Sequence, residues 1–376
     1  MSPEDHATQV VERYMLKYGI PGMCIGVTVN GRKVWASGHG YSDVEQGVPC
    51  TADTVMRIAS ITKTITATHY LPDLPKMFYN GEEQTITSRQ LMNHSSGIRH
   101  YSTETNTQDK YDKTADEVYL NTKFETVADA LELFIHDPLV IKPGSKFSYS
   151  THGYTLLSAV MEKATGAELP FIYKDFFYDL GMSNTILDFK DIVIPNRSRY
   201  YLRDRRHRLV NAPEVDNSCK WAGAGLLSTV HDMLKFANVV LYGYEVFACG
   251  RFNGCLCSYH SDEQSQLKPY LSADTVQQLW RREQELTTRL HPGSYGLGWV
   301  RGIPTEEYGG IKENEVRSNY WGHSGRAVGA SSYLLVKPTR KTGNGQDGVC
   351  VAILLNLQDC WVSDLALELA EIFLEN

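Results

Sequence analysis

Strand-forming stretches stand at the two ends of this chain and are scarce in its middle, which limits the folds open to it. MCIGVTV (23–29), Asn30-Gly31 and RKVWASG (32–38) make the strongest short hairpin signature a sequence offers, since Asn-Gly accepts the positive φ of a two-residue turn. Strand patterns return at SYGLGWVRG, SNYWGHSG, ASSYLLVKP and GVCVAILLN, the last two joined by the turn-rich TRKTGNGQDG. A helix is expected at each terminus. Ser2 caps the first, with Pro3 at its first position, Ala7, Val10, Val11, Tyr14, Met15 and Tyr18 on one face, and Gly19 as the stop. Ser363 caps the last, where Leu365, Leu369, Ile372 and Phe373 share a face. Both apolar faces need a surface, and a sheet built from the early hairpin and the late strands supplies it.

The stretch between is dominated by helical patterns: SRQLMNHSSGIRHY, TVADALELFIH, GYTLLSAVMEKATG and LPFIYKDFFYDLG. A further helix begins at Leu227-Ser228-Thr229, with Thr229 and Asp232 spaced as a capping box and Gly243 as its stop. The expected fold class is α/β (α+β): an antiparallel sheet flanked by N- and C-terminal helices, with an inserted all-helical lobe. We read residues 1–376 as a single domain, with an α/β lobe of 1–58 and 216–376 and a helical lobe of 59–215. The cleft between lobes is the expected ligand site.

Several function classes fall away. With a net charge of −7 and scattered Lys and Arg, nucleic acid is not an expected partner. The longest apolar runs fall short of the roughly 18 residues of a membrane span. No apolar signal segment follows Met1, and the acids of SPEDHATQVVE argue against an Arg-rich presequence, so the chain at face value is cytosolic. Cys249, Cys255, Cys257 and His260 form a cysteine cluster whose spacing matches no zinc finger or ribbon. G-x-S-x-G, H-E-x-x-H and a dinucleotide fingerprint are absent, so no metal or nucleotide cofactor is expected.

The chemistry-bearing stretch is RIASITKTITATHY (57–70), where Ser60 and Lys63 stand three apart. On a helix this spacing puts their Cβ atoms roughly 5–6 Å apart, so an amine can take the hydroxyl proton. A lysine of pKa about 10.4 serves as a base near neutrality only if desolvation or a nearby cation lowers it by about 3 units. Taken alone the pair fits a capping serine and a solvated lysine equally well, and Ser265 with Lys268 repeats the spacing in a polar stretch before Pro269. Tyr149, in KFSYSTHGYTLL, is a candidate proton relay. His323-Ser324-Gly325 offers a strand edge for a developing oxyanion, or a tight turn before a core strand. Lys341-Thr342-Gly343 is a rival triplet, discounted because it falls in the hairpin loop.

SITK, LMNHSSGI, YSTHGYTLL, WAGAGLLST, YGLGW and GHSGRAVG occur in an order covering nearly the whole chain. In this the chain resembles the serine β-lactamase and penicillin-binding family, in the branch of class C β-lactamases, D,D-carboxypeptidases and related esterases. Within that branch it is most similar to mitochondrial members from animals. The resemblance implies a β-lactamase/transpeptidase-like fold and a serine-type hydrolase, peptidase-like, acting on a peptide or small acyl substrate. It also implies self-association into oligomers or filaments, a mitochondrial location and an influence on lipid metabolism. A filament-forming scaffold with weak or no catalysis, or a small-ester hydrolase, is the alternative.

Carried over position by position, the resemblance makes Ser60 the acylated nucleophile, Lys63 its base and Tyr149 the relay. Thr151, His323, Ser324, Gly325 and Arg326 become substrate-binding, with the backbone N–H groups of Ser60 and Arg326 facing the oxyanion. Arg326 also reads as a solvated surface arginine or as a cation for an acidic substrate group. Three departures stand out. Thr151 replaces a substrate-gripping Asn, and His323 replaces Lys, so its charge is expected to titrate near pH 6.5. The Ser60 helix also runs straight into YLPDLP at Tyr70, where relatives are longer.

Overall fold

A computed structural model describes residues 1–68, 77–101, 116–250, 270–286, 293–302, 320–339 and 348–375. Among these, nine segments pair into one antiparallel sheet: β1 (Gly22–Val29), β2 (Arg32–Asp43), β3 (Val48–Pro49), β4 (Gln284–Leu286), β5 (Gly293–Tyr295), β6 (Val300–Gly302), β7 (Tyr320–Ala327), β8 (Ala330–Pro338) and β9 (Gly348–Leu355). Their order is β4-β5-β6-β7-β8-β9-β1-β2-β3. The two ends of the chain meet in the seam between β1 and β9, where Met23 opposes Leu355 and Val29 opposes Val349. The early hairpin forms as expected: Asn30 and Gly31 take φ of 51° and 75°, and Val29 opposes Arg32.

Alternation along the strands divides the core. Met23, Ile25, Val27, Val351 and Ile353 face helices α1 (Pro3–Tyr18) and, at the other end of the chain, Ser363–Leu374. Cys24, Cys350, Ala352 and Leu354 face the opposite way, toward Met233, Phe236 and Ala237. In α1 the Ser2 hydroxyl accepts from the Asp5 N–H at 3.2 Å, and Gly19 closes the helix at φ 58°. In the C-terminal helix Ser363 lies inside the first turn, with Val362 as the cap residue, so the expected serine cap is not made.

The middle of the chain carries α2 (Thr62–Thr66), α3 (His152–Thr165), α4 (Leu169–Asp179), α5 (Trp221–Ala224) and α6 (Val230–Gly250). The lobe of 59–215 is not all-helical as expected: Met77–Tyr79 pairs with Glu82–Gln84, Tyr201–Arg203 with Leu209–Asn211, and Ile186–Leu187 with Leu226–Ser228, pairings made by strands too short to show a period in the sequence. Two expected helices are shorter than their periodicity. In 88–101 only Ser88–Met92 is helical, opened by a Thr87–Gln90 capping box and ended where His94 adopts φ 58°. In 126–136 only Val127–Leu131 is helical. Conversely, α6 runs through Gly243 to Gly250. Gly243 permits a close approach instead of stopping the helix, since a Cβ there would lie 2.7 Å from Val276 Cγ2.

Cys255, Cys257, His260, the Ser265–Lys268 pair and Lys341-Thr342-Gly343 lie outside the described residues, as does the side chain of Cys249. The cysteines described, Cys24, Cys50, Cys219, Cys350 and Cys360, are free thiols. Among the described residues no helix is long and apolar enough to cross a membrane.

Candidate active site

Ser60 lies in a 3-10 turn, Ala59–Ile61, that continues directly into α2. The approach to this turn is fixed from several sides. Arg57 and Met56 pair with Leu227 and Ser228, and the Ile58 N–H donates to the Leu226 carbonyl at 3.0 Å. The buried Arg57 guanidinium donates to Asp188 Oδ2 and to the Val328 carbonyl, both at 2.7 Å, and lies 4.2 Å from the centre of the Tyr200 ring. Asp188 also accepts from Arg197 and Asn217. Between this anchor and Ser60 stands Ala59 at φ 48°, a left-handed conformation that costs a residue with a Cβ roughly 1–2 kcal/mol.

Lys63 is one turn on from Ser60, as the spacing requires, and is fully buried. Its Nζ lies 3.1 Å from Ser60 Oγ, 3.3 Å from Thr151 Oγ1 and 2.6 Å from the Gly223 carbonyl oxygen. All three neighbours are uncharged, so burial lowers the amine well below the ordinary lysine value. The Tyr149 hydroxyl donates to the same Ser60 Oγ at 2.9 Å, and burial pushes its phenol up. The Lys63 amine also sits 4.9 Å from the centre of the Tyr149 ring and 5.4 Å from that of Tyr154.

β7 brings the strand triplet against this cluster. Gly325 sits where a Cβ would lie 2.4 Å from the Ile58 carbonyl and 2.0 Å from Ser332 Oγ, so only glycine lets the strand approach the turn of Ser60. The Ser332 hydroxyl donates to that same Ile58 carbonyl at 2.8 Å. Ser324 pairs with Tyr333 and Arg326 with Ser331, which puts both on the opposite face of the sheet by alternation. There Arg326 forms an ion pair with Asp359 and lies 5.2 Å from the Trp361 ring centre. Pairing of β6 with β7 stops at Gly322, so beyond it no strand among the described residues covers the far edge of β7.

His323 is buried and does not behave as the sequence led us to expect. Its Nε2 meets the Tyr295 hydroxyl at 2.8 Å and its Nδ1 meets the Ser324 carbonyl at 2.7 Å. Burial, reinforced by Lys63, lowers its pKa to about 3, so the expected titration near pH 6.5 is replaced by a ring that stays neutral. Tyr295 continues to His94 Nε2 at 3.1 Å, and His94 Nδ1 accepts the Ser150 N–H at 3.1 Å.

Of the residues singled out in the sequence, Lys63 and Tyr149 meet at the Ser60 hydroxyl, Thr151 bonds the Lys63 amine, and Gly325 packs on the turn that carries Ser60. The Ser324 and Arg326 side chains are not brought to it. Sequence reasoning missed Gly223, which acts through a backbone carbonyl without a side-chain signature, and it missed His94 and Tyr295, although both lie inside the quoted LMNHSSGI and YGLGW stretches. Among the described residues no group of three His, Cys, Asp or Glu could hold a metal ion.

The beta-lactamase family model matches residues 7–71 and 67–367. The two matched stretches overlap at residues 67–71, which include Tyr70. The human serine beta-lactamase-like protein LACTB, mitochondrial (Homo sapiens), is 35% identical over 97% of this chain and 79% of its own length. The cattle protein of the same description (Bos taurus) is 34% identical over 97% of this chain and 78% of its own length. Among solved structures, the octameric penicillin-binding protein homologue from Pyrococcus abyssi superposes with a TM-score of 0.72 at 21% identity, covering 99% of this chain and 77% of that one. EstCE1, a hydrolase with promiscuous acyltransferase activity, gives 0.72 at 18% identity, covering 98% of each chain.

Proposed function

Because this chain belongs to the beta-lactamase family, a beta-lactamase-fold family of serine hydrolases, we propose that it forms an acyl-enzyme on Ser60 and hydrolyses it, acting on peptides or small acyl substrates. The observation that carries this is the placing of Lys63 Nζ and Tyr149 OH at 3.1 Å and 2.9 Å from one hydroxyl oxygen.

Every hydrogen of a neutral Lys63 has a place. Two N–H bonds point to Gly223 O and Thr151 Oγ1, leaving the lone pair for the Ser60 proton, while Ser60 Oγ accepts from Tyr149. As Oγ bonds to the substrate carbonyl carbon, its proton passes to Lys63, and the three oxygens around the new ammonium each accept one of its hydrogens. The backbone N–H groups of Ser60 and Arg326 receive the oxyanion. When the carbon–leaving-group bond breaks, Tyr149 protonates the departing atom and is reprotonated from Lys63. Water then attacks the ester, giving its proton to the same pair, and the Ser60 hydroxyl is restored as the acid leaves.

Thr151 holds Lys63 where relatives have an amide reaching toward substrate, so turnover of β-lactams is not the expected strength of this site. The experiment is intact-mass profiling after incubation with peptide, ester and β-lactam panels, with Ser60→Ala as control. A transient adduct confined to the serine enzyme supports the reading, and its absence from every panel opposes it.

The octameric state of the Pyrococcus abyssi homologue favours a second, compatible reading, in which the chain self-associates. Concentration-dependent assemblies unaffected by Ser60→Ala are its test. The description of the human and cattle relatives supports a mitochondrial location as part of this reading, and family resemblance alone supports an influence on lipid metabolism.

A further inference from the structure

The histidine of the strand triplet ends a chain of hydrogen bonds whose direction is fixed at both ends by backbone groups. A peptide N–H can only donate, so the bond from Ser150 N makes His94 Nδ1 an acceptor and puts the proton of His94 on Nε2. That proton points at the Tyr295 oxygen, 3.1 Å away. A carbonyl can only accept, so His323 Nδ1 carries the proton that meets Ser324 O, and His323 Nε2 is left as an acceptor. The Tyr295 hydroxyl, 2.8 Å away, is its donor. Each link holds one proton, and the two imidazoles are locked as opposite tautomers.

Protonating His323 would force the Tyr295 hydrogen out of this line, with no second acceptor among the described contacts. Protonating His94 would set two donors against each other at Ser150. The groups around the relay reinforce this. Lys63 and His100 lie toward His94, and Lys63 toward His323. The Tyr149 and Tyr154 rings sit 4.2 Å and 5.5 Å from the His94 ring. On the strands beside β7, Arg301 opposes Trp321 and Tyr333 opposes Ser324, while Arg326 is paired with Asp359. No carboxylate among the described hydrogen bonds reaches His94 or His323.

We propose that Tyr295 and His94 are positioning residues that keep His323 uncharged, so that the cleft selects acyl donors carrying no carboxylate beside the scissile bond: neutral esters, amides and interior peptide bonds. This deepens the hydrolase reading and rests on it for its substrate half. A substrate carboxylate entering next to the triplet would lose its water shell and find an imidazole whose two nitrogens are already engaged.

The test has two arms. Long-range proton–nitrogen spectra of histidine-labelled protein between about pH 5 and 8, assigned with His94→Gln and His323→Gln, should show one ring protonated at Nε2, the other at Nδ1, and neither titrating. In Tyr295→Phe the His323 ring loses its donor and should begin to titrate toward its ordinary value. Both rings in one tautomer, or either titrating in the wild-type protein, overturns the relay. The second arm compares N-acetylalanyl esters of ethyl lactate and of free lactate. The wild-type enzyme should favour the neutral ester in kcat/KM by about tenfold or more, and Tyr295→Phe should narrow the gap at acidic pH through the KM of the charged ester. Equal or better use of the charged ester overturns the selectivity. If neither ester is turned over and Ser60 takes no fluorophosphonate, the hydrolase reading and the selectivity fall together, while the ring spectra still decide the relay.

Discussion

The Gly223 carbonyl oxygen lies 2.6 Å from the buried Lys63 amine, making a backbone oxygen the nearest hydrogen-bond partner of the proposed base. A carbonyl orients the amine without supplying the full negative charge that would hold a proton on it, which suits the proposed role of Lys63 as base.

Replacing Lys63 with Met should abolish acylation and alter how stability depends on pH. The folded amine deprotonates well below the ordinary value of about 10.4, so between the two values the unfolded chain holds the extra proton. Wild-type stability therefore rises with pH through that interval and is lost as pH falls, by up to about 1.4 kcal/mol per unit. Denaturant melts from pH 7 to 10 should show this rise relative to Lys63→Met. Parallel curves for the two proteins would contradict it.

Tyr149→Phe removes one hydroxyl and little volume. We expect kcat to fall by about 10²–10⁴-fold with a stability change of about 1 kcal/mol. Single-turnover acylation measured beside thermal melts separates the two effects, and an unchanged acylation rate would remove Tyr149 from the mechanism.

Asp188→Ala leaves the Arg57 guanidinium buried without its carboxylate partner, and it should cost about 3–5 kcal/mol. Equilibrium unfolding measures that loss. Since Arg57 fixes the segment before Ser60, labelling of Ser60 should fall even where the variant is folded.

Acid sensitivity should trace in part to the relay, beside His100, whose pKa burial also lowers to about 3. His323 has a folded pKa of about 3 against about 6.5 unfolded, and His94 is shifted in the same direction. The unfolded chain takes up protons that these folded rings refuse, so their contribution to stability is complete above about pH 6.5 and declines as pH falls toward 3. His323→Gln should flatten that decline by up to about 1.4 kcal/mol per unit, and an equally steep decline in the variant would show that His323 is not its source.

What was legible in the sequence follows physical lines. The cap at Ser2, the stop at Gly19 and the Asn30-Gly31 turn are local rules, and the structure keeps them. The apolar faces of the terminal helices told that the chain ends share a sheet, which the β1–β9 seam provides. Helix lengths were less legible, because the turn at His94 and the close packing at Gly243 depend on distant segments. In the site, spacing supplied Ser60 with Lys63, and ordered motifs supplied Tyr149 and Thr151. The neutral state of His323 could not be read, since it depends on burial and on the approach of Lys63 from a distant segment.

The most direct measurement is covalent labelling with a fluorophosphonate followed by peptide mapping, in the wild-type chain, Ser60→Ala and Tyr149→Phe. The account predicts one adduct, on Ser60, absent from Ser60→Ala and slowed by at least about 100-fold in Tyr149→Phe. A folded wild-type protein that takes no label, or takes it elsewhere while Ser60 stays free, would contradict it.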